Sequence, residues 1–88
     1  MQHANATAIV VGASSGIGKA IAEHLAAAGW KVGVTSRKLE NLAEMVTRLG
    51  EQVVPKVIDV DDPESTREGL RALADELGGV DLWVLNAG

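Results

Sequence analysis

Three glycines spaced Gly12-x-x-x-Gly16-x-Gly18, with Ser14, Ser15 and Ile17 among them, are the residues of this chain best suited to hold an anion. They follow the short apolar run Ile9-Val10-Val11 and precede a long helical pattern, so they form a turn between a strand and a helix start. Glycine lets the backbone take positive φ there and lets a ligand come close. The first amides of the helix lack a carbonyl partner, and the positive end of the helix dipole adds to their pull. Such a place suits phosphate. The alternative is a glycine-rich turn that binds nothing, and the glycines alone leave both readings open.

Two further stretches carry polar groups at the ends of apolar runs. Ser36-Arg37-Lys38 closes the second run and is positively charged, and Asp59-Val60 closes the third. Other chemistry is limited by composition. The chain has no Cys, which removes thiol catalysis, disulfides and thiolate metal sites, and no set of metal ligands stands out. His3 lies in a polar start, Met1 to Asn5, and His24 sits beside Glu23 on the polar side of a helix, so both read as surface residues. A net charge of −4 argues against a nucleic-acid groove or an anionic membrane as partner. No apolar run approaches the length of a membrane span and the start has no signal-peptide layout, so the expectation is a soluble cytoplasmic protein.

The elements that must position these groups can be read in order. Thr7 to Val11 is apolar without alternation, as in a strand buried on both faces of a parallel sheet. Ile17, Ile21 and Leu25 recur every four residues among small alanines, and Gly29 follows as a C-terminal cap, which predicts the first helix. Trp30 to Thr35 is a second strand. Leu39, Leu42, Val46 and Leu49 mark one face of a second helix, stopped at Gly50. Gln52 to Val60 reads as a third strand, and Pro55, which lacks an amide donor, places it at a sheet edge. Asp62-Pro63-Glu64 begins a third helix with a carboxylate cap and proline at its first position, and Leu70, Leu73, Ala74 and Leu77 form its apolar face. Val80 to Leu85 is a fourth strand running into Asn86-Ala87-Gly88.

The order β-α-β-α-β-α-β predicts an α/β fold, a truncated doubly wound, Rossmann-like parallel sheet with strand order 3-2-1-4 and helices on both faces. At 88 residues it is one small domain, 1–88, at a size where stability is marginal. Ligands of such sheets bind at the C-terminal ends of the strands. There the glycine turn would hold a pyrophosphate and the tip of strand two would meet the adenosine ribose. An acid at that tip would accept from a free 2′-hydroxyl. Here Arg37 and Lys38 suit a 2′-phosphate instead, which points to NADP over NAD, unless they are only a solvated basic pair. Asp59-Val60 would touch the adenine edge, unless Asp59 is a plain loop acid.

Gly12-Ala13-Ser14-Ser15-Gly16-Ile17-Gly18-Lys19-Ala20, Ser36-Arg37, Asp59-Val60 and Asn86-Ala87-Gly88, in this order and at these separations, resemble the cofactor-binding half of a classical short-chain dehydrogenase/reductase. The likeness spans nearly the whole chain. It implies that Gly12, Gly16, Gly18, Ser14, Ser15 and Ile17 line the pyrophosphate of NADP(H), that Arg37 holds the 2′-phosphate with Ser36 beside it, that Asp59 and Val60 flank the adenine, and that Asn86, Ala87 and Gly88 shape the strand-four end near the ribose. Two departures are visible: Leu85 precedes Asn86 where the family often has a second Asn, and Ser15 stands where many NADP-preferring members carry a basic residue, which leaves the preference to Arg37 and Lys38.

The same resemblance implies that hydride transfer needs a serine and a Tyr-x-x-x-Lys pair beyond the Asn-Ala-Gly motif. The chain contains no Tyr, so no residue takes the role of general acid. The expectation is an NADP(H)-binding module without turnover, the alternatives being the N-terminal piece of a full NADP-dependent oxidoreductase acting on a carbonyl or alcohol, and a structural oligomer that binds no nucleotide. A strand-four edge carrying Leu82, Trp83, Val84 and Leu85 with unpaired backbone groups further predicts a homodimer or higher homo-oligomer, through strand 80–85 or an uncovered sheet face.

Overall fold

A computed structural model describes residues 6–14 and 16–86 of the chain. Its elements follow in the order β1 (Thr7–Val11), α1 (Gly16–Ala27), β2 (Lys31–Ser36), α2 (Glu40–Leu49), a one-turn 3-10 helix (Gly50–Gln52), β3 (Val53–Val57), α3 (Pro63–Leu77) and β4 (Leu82–Leu85). The strands form one sheet in the order β3-β2-β1-β4, and every pairing is parallel. The register runs Val10 opposite Val34 and Val84, and Val34 opposite Pro55. Pro55 thus lies on the outer strand, where its missing donor leaves no gap in the ladder.

Side-chain alternation along the strands builds two cores. Val10, Val32, Val34 and Val53 face α1 and α2 and meet Ala22, Ala26, Leu42 and Met45. Ile9 and Val11 face the opposite side and meet Leu73 of α3. Fully burying each such aliphatic side chain contributes about 1.5–3 kcal/mol, which favours helices on both faces over a one-sided layer. Gly33 makes room for this: a Cβ there would lie 2.8 Å from the Leu73 side chain.

Local packing follows the small residues in α1 and departs from the sequence pattern in α2 and β3. The sheet-facing stripe of α1 is Gly18, Ala22 and Ala26, while Ile21 and Leu25 flank it half-buried and Ile17 is 70 % exposed. The small residues bring the helix axis close to the sheet, and the larger ones pack at the sides. In α2 the buried pair is Leu42 and Met45, and Leu39 is exposed ahead of the helix. The third strand is shorter than the apolar run suggests: Gly50–Gln52 coils first, and the chain leaves the strand after Val57, although the Ile58 amide still donates to the Ser36 carbonyl at 2.9 Å. Ile58 is then buried beneath Gly69 of α3, where a Cβ would meet it at 2.6 Å.

The helix ends follow the local chemistry. Asp62 caps α3, its carboxylate accepting from the amides of Glu64 and Ser65, with Pro63 in the first turn, and Gly78 closes the helix in the left-handed region. Among the described residues, no helix is long and apolar enough to cross a membrane.

Candidate functional site

Because all four strands are parallel, their C-terminal ends share one margin of the sheet. α1 and α2 lie on one face and α3 on the other, so the crossover direction switches between β1 and β4, the place where open α/β sheets bind ligands. A cleft of about 430 Å³ opens along this margin. Its walls come from every strand tip: Gly12 and Ser14 after β1, Thr35 to Arg37 at the end of β2, Ile58 to Asp61 after β3 apart from Asp59, and Asn86 after β4.

The glycine turn is held from two sides. Gly12 (φ 80°) and Gly16 (φ 62°) occupy the left-handed region, which an L side chain rarely adopts. Thr35, only 1 % exposed, holds the turn by both of its oxygens: its hydroxyl accepts from the Gly12 amide at 3.1 Å and its carbonyl from the Ala13 amide at 2.9 Å. From the other side the Asn86 side-chain amide donates to the Gly12 carbonyl at 3.3 Å, and the Asn86 backbone amide donates to the Val11 carbonyl at 3.0 Å. Gly18 lies directly against this junction, where a Cβ would stand 2.3 Å from the Gly12 oxygen and 2.5 Å from the Asn86 side chain. The turn is thereby clamped with the first turn of α1 against it, and the leading amides of that helix carry the positive end of its dipole.

At the second strand tip Ser36 is nearly buried, and its hydroxyl oxygen accepts from the Asn41 side chain at 3.3 Å. Arg37 is exposed and reaches across to the loop after β3. Its guanidinium donates to the Asp61 carboxylate, and its Nε lies 4.0 Å from Asp59 Oδ1.

Of the residues singled out from the sequence, Gly12, Ser14, Ser36, Arg37, Val60 and Asn86 line the cleft together. Gly16, Ile17 and Gly18 form the start of α1 beside it, and Asp59 touches the site through Arg37. Lys38 is exposed beyond the cleft wall. Ser15, Ala87 and Gly88 lie outside the described residues. Sequence reasoning missed Thr35, Asn41, Ile58 and Asp61. Thr35 left a signal, a hydroxyl directly after the apolar run Val32-Gly33-Val34. Asp61 left a weaker one, an extra acid in the run Asp59-Val60-Asp61-Asp62. Among the described residues no cluster of His, Cys, Asp and Glu is suited to a metal ion.

A parallel sheet ordered 3-2-1-4, helices on both faces and a glycine turn opening a helix at the switch point define the doubly wound, Rossmann-like class. Within it, the family model described as short chain dehydrogenase matches residues 6–88, and the chain belongs to that family. It is 46 % identical over 81 residues to a 3-oxoacyl-(acyl-carrier-protein) reductase of Vibrio cholerae, covering 92 % of this chain and 33 % of the relative. It is 42 % identical over 82 residues to a Haemophilus influenzae protein named "Probable NADP-dependent dehydrogenase", covering 93 % of this chain and 32 % of the relative. Among solved structures, an actinorhodin polyketide ketoreductase with NADPH superposes with a TM-score of 0.86 at 33 % identity, covering 100 % of this chain and 35 % of that one. The chain spans about a third of the length of the curated relatives it matches.

Proposed function

We propose that these residues form the cofactor-binding portion of an NADP-dependent oxidoreductase and bind NADP(H) in the cleft at the strand tips. The observation that carries this reading is that one cleft brings together a clamped glycine turn at a helix start and the Arg37 guanidinium at the neighbouring strand tip. The fit is physical: Gly18 leaves no room for a Cβ beside the turn, and Gly12 and Gly16 take left-handed φ at a helix start, whose leading amides have no helical carbonyl partner and suit an anion. Gly12, Ser14, Ser15, Gly16, Ile17 and Gly18 would hold the pyrophosphate, and Arg37 the 2′-phosphate, with Ser36 beside it and Lys38 adding positive charge from beyond the cleft wall. Asp59 and Val60 would border the adenine, and Asn86, Ala87 and Gly88 the ribose next to β4. The bound dinucleotide would supply hydride chemistry. The family membership and the NADP dependence named for a relative support the class of cofactor.

The whole protein's reaction, reduction of a carbonyl or oxidation of an alcohol, is part of the same proposal. The 88 residues contain no Tyr to act as general acid, so this chain by itself binds the cofactor without turning it over. Isothermal titration with NADPH and NADH tests the binding. NADPH should bind more tightly, and Arg37→Ala should weaken it by about 1.5–3 kcal/mol relative to NADH, the worth of a charge-assisted hydrogen bond. An unchanged NADPH-to-NADH ratio in that variant refutes the assignment of Arg37.

We also propose that the isolated chain self-associates through β4. Leu82, Trp83 and Leu85 are 38 %, 46 % and 76 % exposed on the outer strand of the sheet, and an open apolar edge is a template for pairing. Sedimentation at micromolar concentration should give a dimer or larger species, and a clean monomer refutes this.

A further inference from the structure

We propose that Asp61 sets how strongly this site distinguishes a 2′-phosphorylated adenosine from a plain one, by competing for Arg37. The inference rests on the reading of the cleft as an NADP(H) site. Arg37 is held by the Asp61 carboxylate and approached at 4.0 Å by that of Asp59, so the one cation that lines the cleft among the described residues carries two acidic neighbours. The loop that presents Asp61 is built by its own bonds. Its amide donates to Asp59 Oδ1 at 3.0 Å, the Asp62 amide donates to the Asp59 carbonyl at 3.0 Å, and Thr66 of α3 donates to that same carbonyl at 3.2 Å. Asp62 then caps α3, so the turn from Asp59 to Asp62 is anchored on a helix that packs on the sheet.

The consequences for the two cofactor forms are opposite. A 2′-phosphate carries more charge than a carboxylate and can take two guanidinium donors, so it displaces Asp61 from Arg37 but must do so against an existing partner and beside two carboxylates. A free 2′-hydroxyl carries no charge with which to draw Arg37 from its partner; it can donate to the Asp61 carboxylate while the ion pair persists. Asp61 therefore weakens binding of the phosphorylated form and supports the other. It lowers the selectivity that Arg37 alone would confer.

The test is titration of the 88-residue chain and its Asp61→Asn variant with adenosine 2′,5′-bisphosphate and with adenosine 5′-monophosphate, at one fixed ionic strength. Asp61 is a solvent-exposed side chain, and Asn keeps its size, so the variant should fold as the parent does. The bisphosphate should bind about fivefold tighter to the variant, since an exposed ion pair is worth up to about 1 kcal/mol, and the monophosphate equally or less tightly. In an Arg37→Ala background the gain on adding Asp61→Asn should shrink, because the competition acts through that guanidinium. If both ligands bind the parent and their ratio is unchanged in Asp61→Asn, or the gain persists without Arg37, the inference is overturned while the site reading stands. If neither ligand binds the parent, the site reading itself fails.

Discussion

Gly18→Ala adds one methyl group at the most crowded point of the site. Its Cβ would stand 2.3 Å from the Gly12 carbonyl oxygen and 2.5 Å from the Asn86 side-chain nitrogen. Ordinary contact needs about 3.5 Å, so the start of α1 must retreat by about 1 Å or the turn must open. The obstacle is a backbone oxygen held in a clamped turn, so no side-chain rotation relieves it. Overpacking of this kind costs about 3 kcal/mol at its upper end. Loss of the Asn86 to Gly12 hydrogen bond removes about 1 kcal/mol more. Alanine is the better helix former by about 1 kcal/mol, which offsets part of the loss. The net expectation is destabilisation of about 2–3 kcal/mol, a large share of the stability of so small a chain. Displaced amides should also weaken NADPH binding at least about tenfold, the loss of one charge-assisted hydrogen bond. Urea denaturation followed by circular dichroism and titration with NADPH measure the two effects. A variant with wild-type midpoint and wild-type NADPH affinity would refute the close packing of α1 on the glycine turn.

Thr35→Val should cost about 1–3 kcal/mol by leaving the Gly12 amide without its buried acceptor, whereas Thr35→Ser should retain most of the stability; denaturation midpoints of both variants check this. Glu44 of α2, beside Lys19 of α1, has its carboxyl held below its ordinary value of 4.5, chiefly by the hydrogen bond from Arg48, with the charges of Arg48 and Lys19 adding and partial desolvation opposing. A lowered folded-state value means stability that is present above 4.5 and lost as pH falls through the folded value. The midpoint difference between wild type and Glu44→Gln should therefore be small but positive near neutral pH and fade as the pH falls below 4.5 and the carboxyl becomes protonated in the folded state too, as fits an exposed pair.

Much of the architecture was legible because strand and helix periods were clean. Uniform apolar runs specified a sheet covered on both faces, Pro55 specified its edge, and Asp62-Pro63 specified the start of α3. What was not legible depends on distances between elements. The recurrence of Ile17, Ile21 and Leu25 marks α1 as a helix but does not fix how near it lies to the sheet. Yet the glycine turn and Asn86 demand close approach, and only Gly18, Ala22 and Ala26 permit it. Ile58 and Val60 extend the apolar run past the end of β3, but Ile58 is buried against α3 rather than by strand pairing alone. In the site, residue types revealed the glycine turn and Arg37. They did not reveal Thr35 as the clamp of that turn or Asp61 as the partner of Arg37, since both roles arise from strands and loops distant in sequence.

In the proposed site, amides at the start of α1 and the Arg37 guanidinium together hold a 2′-phosphorylated adenine dinucleotide. Amide-resolved NMR of the isotope-labelled chain, titrated with NADPH, tests it most directly. The largest shifts should fall on Ser14 and Gly16 to Gly18 and on Arg37, follow one binding curve, and lose the Arg37 component when NADH replaces NADPH. Shifts confined to other parts of the molecule, or none at millimolar NADPH, would contradict it.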